Sequence, residues 1–281
     1  RALIRPMQRP NCRPSSRRSR IRRGDVRMRA MGVFSMRLAL ITDIHSNREG
    51  FSAVLDDLQL RKIDRIVMLG DLVGYGPDPE WCVDRAMRLV EEGALAVKGN
   101  HDSAIANPSE NMNAVARAAI EWTRPRLDRE AKQFLAALPM IAEQGDSIFV
   151  HASLNTPENW DYITNERRAA SSFRQTQARL ITCGHTHVPL LISLDTRRSV
   201  QGHAPSIGST VPLISSRRWL AVIGSAGQPR DGNPRAAYAI VDQNKNEIEF
   251  RRVAYDVSLT AQKIRNAGLP EPLAARLLKG K

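Results

Sequence analysis

Residues 38–47 read LALITDIHSN, and the change of character inside those ten residues decides the fold. Leu38 to Ile41 is a short apolar run of strand length that stops at polar side chains. Asp43 and His45 stand just past its end. Over 47–62 apolar side chains then recur at helical spacing, at Phe51, Val54, Leu55 and Leu58. A strand that ends in polar residues and feeds a helix is the unit of an α/β sheet, whose sites form outside the carboxyl ends of the strands.

Outward from this stretch the pattern repeats. Ile66 to Leu69 is a second strand-like run, closed by Gly70-Asp71, and a helix is expected over 78–92 with Pro79 in its first turn. Ala94 to Val97 leads to Gly99-Asn100-His101-Asp102. Residues 110–137 are Ala-rich and helical, with a break near Pro125. Met140 to Ala142 and Ile148 to Val150 flank the turn Gln144-Gly145-Asp146-Ser147 as a hairpin, and His151 follows at once. A helix near 166–175 precedes Leu180 to Cys183, which ends in Gly184-His185-Thr186-His187. From about 188 the helical spacing fades and strands are expected at 188–193, 219–223, 236–241 and 246–253, the last two joined through Gln243-Asn244-Lys245. Residues 257–279 close the chain as helix, interrupted near Gly268 and Pro270. The sum is an α/β unit followed by a strand-rich unit, two sheets packed in one domain.

Five strands therefore end in metal-competent side chains: Asp43 and His45, Asp71, Asn100, His151, and His185 with His187. Each motif alone is commonplace, since a Gly-Asp is usually only a turn and a lone His-x-His is usually packed or on the surface. Five in order, each at a strand end, argue for one shared site. The pairs two residues apart are expected in extended segments, where i and i+2 side chains point the same way. Mixed imidazole and carboxylate donors suit Mn, Fe, Zn or Ni rather than calcium. Seven donors exceed the needs of one tetrahedral ion, and with one bridging carboxylate they fill two sites. Two ions about 3.5–4 Å apart clamp the attacking and leaving oxygens of an in-line displacement, the chemistry of phosphoester hydrolysis.

The ordered set Asp43-Ile44-His45, Gly70-Asp71, Gly99-Asn100-His101-Asp102, His151 and Gly184-His185-Thr186-His187 resembles the signature of the calcineurin-like metallophosphoesterases. GDLVGYGPDP at 70–79, GSAGQPRDGNPRAAYAI at 224–240, FRRVAYD at 250–256 and the closing AGLPEPLAARLLKGK are similar to a bacterial branch of small phosphoesterases. The resemblance spans roughly 36–281 and implies a four-layer α-β-β-α sandwich of two mixed sheets. It implies that Asp43, His45 and His187 hold one divalent ion, that Asn100, His151 and His185 hold a second, and that Asp71 bridges. It further implies a hydroxide between the ions as attacking group, and His101 as the residue that contacts the phosphate and protonates the leaving oxygen. His is suited to that role near neutral pH. The pattern departs from the Ser/Thr phosphatase branch at Gly74, where that branch carries an acid that orients the catalytic His; Asp102 is the remaining acid for the task.

The net charge of +13 invites a nucleic-acid reading, but its distribution does not favour one. Residues 1–35 hold 11 of the 42 basic residues and one of the 29 acidic ones, so the rest of the chain is near neutral. That tail, with Pro6, Pro10 and Pro14 and no apolar periodicity, is expected to be disordered. A start site placed upstream of Met36 is its simplest account, ahead of a targeting or nucleic-acid arm. No apolar run approaches the roughly 20 residues that span a bilayer. Cys12, Cys82 and Cys183 form no disulfide or CxxC framework, which fits a reducing cytoplasmic compartment.

Several other residues bear on the site. Arg230 is a candidate phosphate contact, weighed against a pair with Asp231. Asn47 reads as a helix cap, Cys183 as a buried strand residue, and Tyr75 and Trp160 as core or rim packing. His203 has no partner motif. The leading reading is hydrolysis of a small phosphomono- or phosphodiester. The others are a non-catalytic scaffold on the same fold and a nuclease that grips phosphates with the Arg-rich tail. Substrate identity and oligomeric state are not encoded in these motifs.

Overall fold

The computed structural model describes residues 28–29, 36–108 and 110–281. The expectation of disorder over 1–35 falls outside the described residues, except that Met28–Arg29 form a short strand, β1. The remaining strands are β2 (Arg37–Ile41), β3 (Arg65–Met68), β4 (Leu95–Ala96), β5 (Ile141–Gln144), β6 (Ser147–Val150), β7 (Leu180–Cys183), β8 (Leu190–Leu194), β9 (Val200–His203), β10 (Thr210–Pro212), β11 (Arg218–Val222), β12 (Ala236–Asp242) and β13 (Glu247–Val253). The helices are α1 (Arg48–Gln59), α2 (Pro79–Glu91), α3 (Asn100–Ala106), α4 (Ala114–Thr123), α5 (Arg129–Ala137), α6 (Glu166–Arg174), α7 (Val257–Asn266) and α8 (Glu271–Lys279).

The strands form two mixed sheets, of order β10-β13-β12-β2-β3-β4 and β1-β5-β6-β7-β11-β8-β9. Within the first, β2, β3 and β4 run parallel, while β12 is antiparallel to β2 and β13 to β12. The sequence order of an α/β unit followed by a strand-rich unit is not the spatial order. The hairpin β12–β13 returns to the first sheet beside β2, and β5, β6 and β7 belong to the second.

Two-residue periodicity builds the layers. Along β2, Leu38 and Leu40 face the space between the sheets, with Phe149, Trp219 and Phe250, whereas Ala39 and Ile41 face Phe51 and Val54 of α1 and Val83 of α2. The second sheet does the same. Phe149 points between the sheets, while Ile148 and Val150 meet Ala169 and Phe173 of α6. The result is an α-β-β-α sandwich of four layers. A further cluster joins α4, α7 and α8 through Ala119, Ile264, Leu273 and Leu277.

Local signals account for most element ends. Asn47 accepts the amide of Gly50 at 2.9 Å and so caps α1, as its position predicts. The expected helix over 110–137 is two, α4 and α5, and Asp128 caps the second by accepting the amide of Ala131. Besides β1, three further elements were not anticipated. α3 opens inside the polar Gly99–Asp102 motif, β9 reads Val-Gln-Gly-His, and β10 is three residues ending in Pro212 at a sheet edge. None carries the apolar periodicity that sequence reading needs, and an edge is where proline is tolerated in a sheet.

Candidate metal centre

The loops that leave β2, β3 and β4 of one sheet and β6 and β7 of the other converge on one edge of the sandwich. They bring all seven ligand-type residues of the sequence together. Asp43, His45 and His187 place one donor atom each within 4.8 Å of one another, and so do Asp71, His151 and His185. Asp71 Oδ2 lies between the groups, 3.5 Å from His45 Nε2 and 3.4 Å from His151 Nε2. Asn100 Oδ1 lies 3.2 Å from His151 Nε2. Apart from Asn100, which is half-buried, all are buried.

The geometry differs from the extended pairs expected at Asp43/His45 and His185/His187. Asp43, His45, Asp71, His185 and His187 all have left-handed backbones, with φ between +48° and +68°. The pairs sit in turns, and His185 and His187 diverge to opposite groups. Such conformations are uncommon for side-chain-bearing residues and cost on the order of 1–3 kcal/mol each, so the surrounding fold must hold them. The holding contacts are visible. The amides of Asp43 and His45 bond the carbonyls of Gly70 and Asp71, at 3.1 and 2.9 Å. The amide of His185 donates to Asp43 Oδ2 at 2.9 Å, and that of His101 to Asp71 Oδ1 at 2.9 Å. Gly99 is required by close approach, because a Cβ there would stand 2.1 Å from Asp71 Oδ1.

The hydrogen bonds behind the imidazoles establish what their inner nitrogens offer. His45 Nδ1 bonds the carbonyl of Val73 at 3.1 Å, His151 Nδ1 that of Leu69 at 2.8 Å, and His187 Nδ1 that of Gln228 at 2.6 Å. A carbonyl only accepts, so each Nδ1 carries the proton and each neutral ring turns the Nε2 lone pair inward. His45 Nε2 and His187 Nε2 then face each other at 3.1 Å as two acceptors. Such a pair is unsatisfied by hydrogen bonding and is matched by a cation. The donor set therefore fits divalent metal ions.

Titration follows from burial and these neighbours. Burial opposes a charge on Asp43 and Asp71, yet His187 beside the first and His151 beside the second hold both carboxyls well below their usual range. Burial also works against protonated His151, but the Asp71 carboxylate dominates and raises the ring to about 9. Burial, then the charge of His151, lowers His185 to about 3, and burial lowers His45 well below its ordinary value. Ionised carboxylates and neutral rings are the ligand forms, so the proton that Asp71 holds on His151 competes with a metal ion.

His101 is buried at the head of α3, and burial lowers it to about 4. Asp102 does not orient it, which corrects the role expected for that acid. Its carboxylate instead accepts the amides of Asp71, Leu72 and Gly99, each at 2.9 Å, and of Val73 at 3.4 Å. Asp102 is thus the anchor of the turn that carries Asp71. Burial, then the charge of Asp71, pushes its carboxyl up to about 7.

Asp71, Tyr75, Asn100, His101, Tyr162 and Arg230 are among the residues lining a cleft of about 80 Å³ over the cluster. That is small against the roughly 300–1,000 Å³ of whole-ligand pockets, so it admits a phosphate-sized group and leaves the rest of a ligand outside. Arg230 bonds Gln228 Oε1 at 2.9 Å, while Asp231 pairs with Arg252 and not with Arg230. Trp160 donates to Glu110 at 3.0 Å and lies edge-on to His151. His203 bonds Ser193 at 2.9 Å on β8, and Cys183 is buried under α6, so neither joins the cluster.

Two residues escaped sequence reading. Tyr162 stacks on His185, with centroids 4.1 Å apart, from a loop with no motif. Gln228 acts on His187 through its backbone carbonyl, which leaves no side-chain signal.

Comparison with known proteins gives the family and the fold. Residues 36–246 match the family model described as the calcineurin-like phosphoesterase superfamily domain. An uncharacterised protein of Methanocaldococcus jannaschii is 36% identical over 250 residues, which cover 87% of this chain and 98% of that protein. The crystal structure of a metallophosphoesterase from Sphaerobacter thermophilus is 41% identical, with a TM-score of 0.78 over 88% of this chain and 100% of that one. A hypothetical protein of Pyrococcus horikoshii OT3 shares the fold at 18% identity, with a TM-score of 0.72 over 87% and 98% of the two chains.

Proposed function

Because the chain belongs to the calcineurin-like phosphoesterase superfamily, we propose that it hydrolyses small phosphomono- or phosphodiesters with two divalent ions as cofactors. Asp43, His45 and His187 would hold one ion and Asn100, His151 and His185 the other, with the Asp71 carboxylate available to both. Such ions supply Lewis acidity toward the phosphoryl oxygens and make a water acidic enough to act as nucleophile. The observation that carries this reading is the pair of inward acceptors, His45 Nε2 and His187 Nε2, 3.1 Å apart with Asp71 Oδ2 beside them.

The chain's own residues do the rest. His101, in the wall of the cleft, delivers the proton that a poor alkoxide leaving group needs, once the negative charge of a bound phosphate offsets the burial that lowers its ring. Arg230, in the same wall, meets the non-bridging phosphate oxygens with its guanidinium. Retention of all seven donors and of His101 favours this reading over a non-catalytic scaffold, and the near-neutral body favours it over a nuclease. Mn, Fe, Zn and Ni all suit the donor set.

The test is hydrolysis of nitrophenyl phosphate and bis(nitrophenyl) phosphate by protein loaded with each metal and by the same protein after chelation. Turnover that appears with metal and disappears with chelator is expected. Metal-loaded protein without turnover on any phosphoester would return the scaffold reading.

A further inference from the structure

Gly74 stands where a second acid would hold the proton-donating His, and the space that acid would need is already filled. A Cβ at Gly74 would lie 2.2 Å from His101 Nδ1. That nitrogen is buried and, among the described residues, has no hydrogen-bond partner. A buried donor or acceptor is normally paired, and a ring that acts as an acid must be held in one orientation. Something other than a hydrogen bond must therefore hold His101.

The candidate is the next residue. The ring of Tyr75 meets that of His101 edge to face, with centroids 4.4 Å apart and planes at 61°. Tyr75 also packs on His45 at 4.5 Å, and His45 packs on His101 at 4.8 Å, so the three rings close a triangle. Edge-to-face arrangements at these distances are favourable and directional. Arg230 bounds the cluster, its guanidinium 5.7 Å from the Tyr75 centroid. Tyr75 is itself held in place. It is buried, its backbone is left-handed at φ +62°, and the turn around it is tied down by the amide of Gly76 to the carbonyl of His45 at 2.9 Å and by Asp102 at Asp71, Leu72 and Val73. A left-handed residue bearing a large side chain persists only where the fold over-determines it.

We infer that Tyr75 is the positioning residue for His101: ring packing against Tyr75 and His45 takes the place of the carboxylate that Gly74 leaves out. This rests on the reading of His101 as leaving-group acid. The hydroxyl of Tyr75 has no part in it, so phenylalanine should substitute and an aliphatic side chain should not.

Two measurements test this independently. The first is the ring resonance of His101 in histidine-labelled, zinc-loaded protein, identified by its loss in His101→Ala. A single sharp set is expected in the wild type and in Tyr75→Phe, and an exchange-broadened or split set in Tyr75→Leu. An unchanged resonance in Tyr75→Leu overturns the inference, whatever the activity. The second is kcat and KM on an alkyl and a nitrophenyl phosphoester, with bound metal counted in each variant. General acids contribute about 10²–10⁴-fold, mostly where the leaving group is poor. Tyr75→Leu should lose about tenfold or more in kcat on the alkyl ester, little on the nitrophenyl ester, and nothing in KM or metal content; Tyr75→Phe should restore the turnover. Equal losses on both esters, or loss of metal, would make Tyr75 merely structural. Equal losses in His101→Ala would instead remove the acid role from His101, and the resonance would still decide whether Tyr75 positions the ring.

Discussion

In the proposed mechanism His101 marks the division between binding metal and moving protons. It lies edge-on to His45, 4.8 Å away between centroids, and shares one three-residue donor group with His45 and Asp71. Yet its Nδ1 is turned toward Gly74 and its amide, not its ring, bonds Asp71. The His101→Ala variant is accordingly expected to retain both ions and to lose about 10²–10⁴-fold in turnover of an alkyl phosphoester. Metal analysis of the purified variant checks the first half and steady-state kinetics the second; loss of an ion would make His101 a ligand. At this scale the sequence was informative wherever a side chain does the chemistry. Asp43, Asp71 and the four His announce themselves by type and by place at strand ends. Tyr162 and Gln228 do not, because stacking and a backbone carbonyl need no particular residue type. Asp102 misled for a related reason: its neighbour in sequence is His101, but its carboxylate turns back to the amides of a turn 30 residues earlier.

Among the elements, the packing of α1 on the β12–β13 hairpin centres on one half-buried carboxylate. Asp57 accepts from Arg61 at 3.1 and 3.2 Å, from Arg251 at 3.1 Å and from the hydroxyl of Tyr238. Burial works against its charge, but Arg61, then Tyr238 and Arg251, lower its carboxyl to about 2. A carboxyl depressed in the folded state adds stability above its unfolded value and loses it as pH falls through the folded one. Asp57→Asn should therefore unfold at a lower temperature than the wild type at pH 7, and the difference should shrink between about pH 4 and pH 2. A gap independent of pH would assign the loss to packing. The site-bearing elements were legible because each pairs a short apolar run with a helical or hairpin signal. α3, β9 and β10 were not, because polar motif residues, an exposed sheet edge and a terminal proline mask the periodicity.

For the molecule as a whole, the centre exists only because two sheets meet. β2, β3 and β4 supply Asp43, His45, Asp71 and Asn100 from one, and β6 and β7 supply His151, His185 and His187 from the other. Sequence order showed that two sheets were present but hid their membership, since β12 and β13 close the chain yet lie beside β2. The Arg-rich residues 1–35 lie away from this logic in composition. A chain beginning at Met36 should keep its metal content and its turnover of small phosphoesters; loss of DNA cleavage alone, with a steep salt dependence of DNA affinity in the full chain, would instead support the nuclease reading. No helix among the described residues is long and apolar enough to cross a membrane. In the proposed centre, Asp71 joins two metal ions whose ligands come from two sheets. Calorimetric titration of metal-free protein with zinc, for the wild type and Asp71→Asn, tests it most directly. Two equivalents per chain are predicted for the wild type, with both weakened together in the variant. A single equivalent in the wild type, or one site left at full affinity in Asp71→Asn, would contradict it.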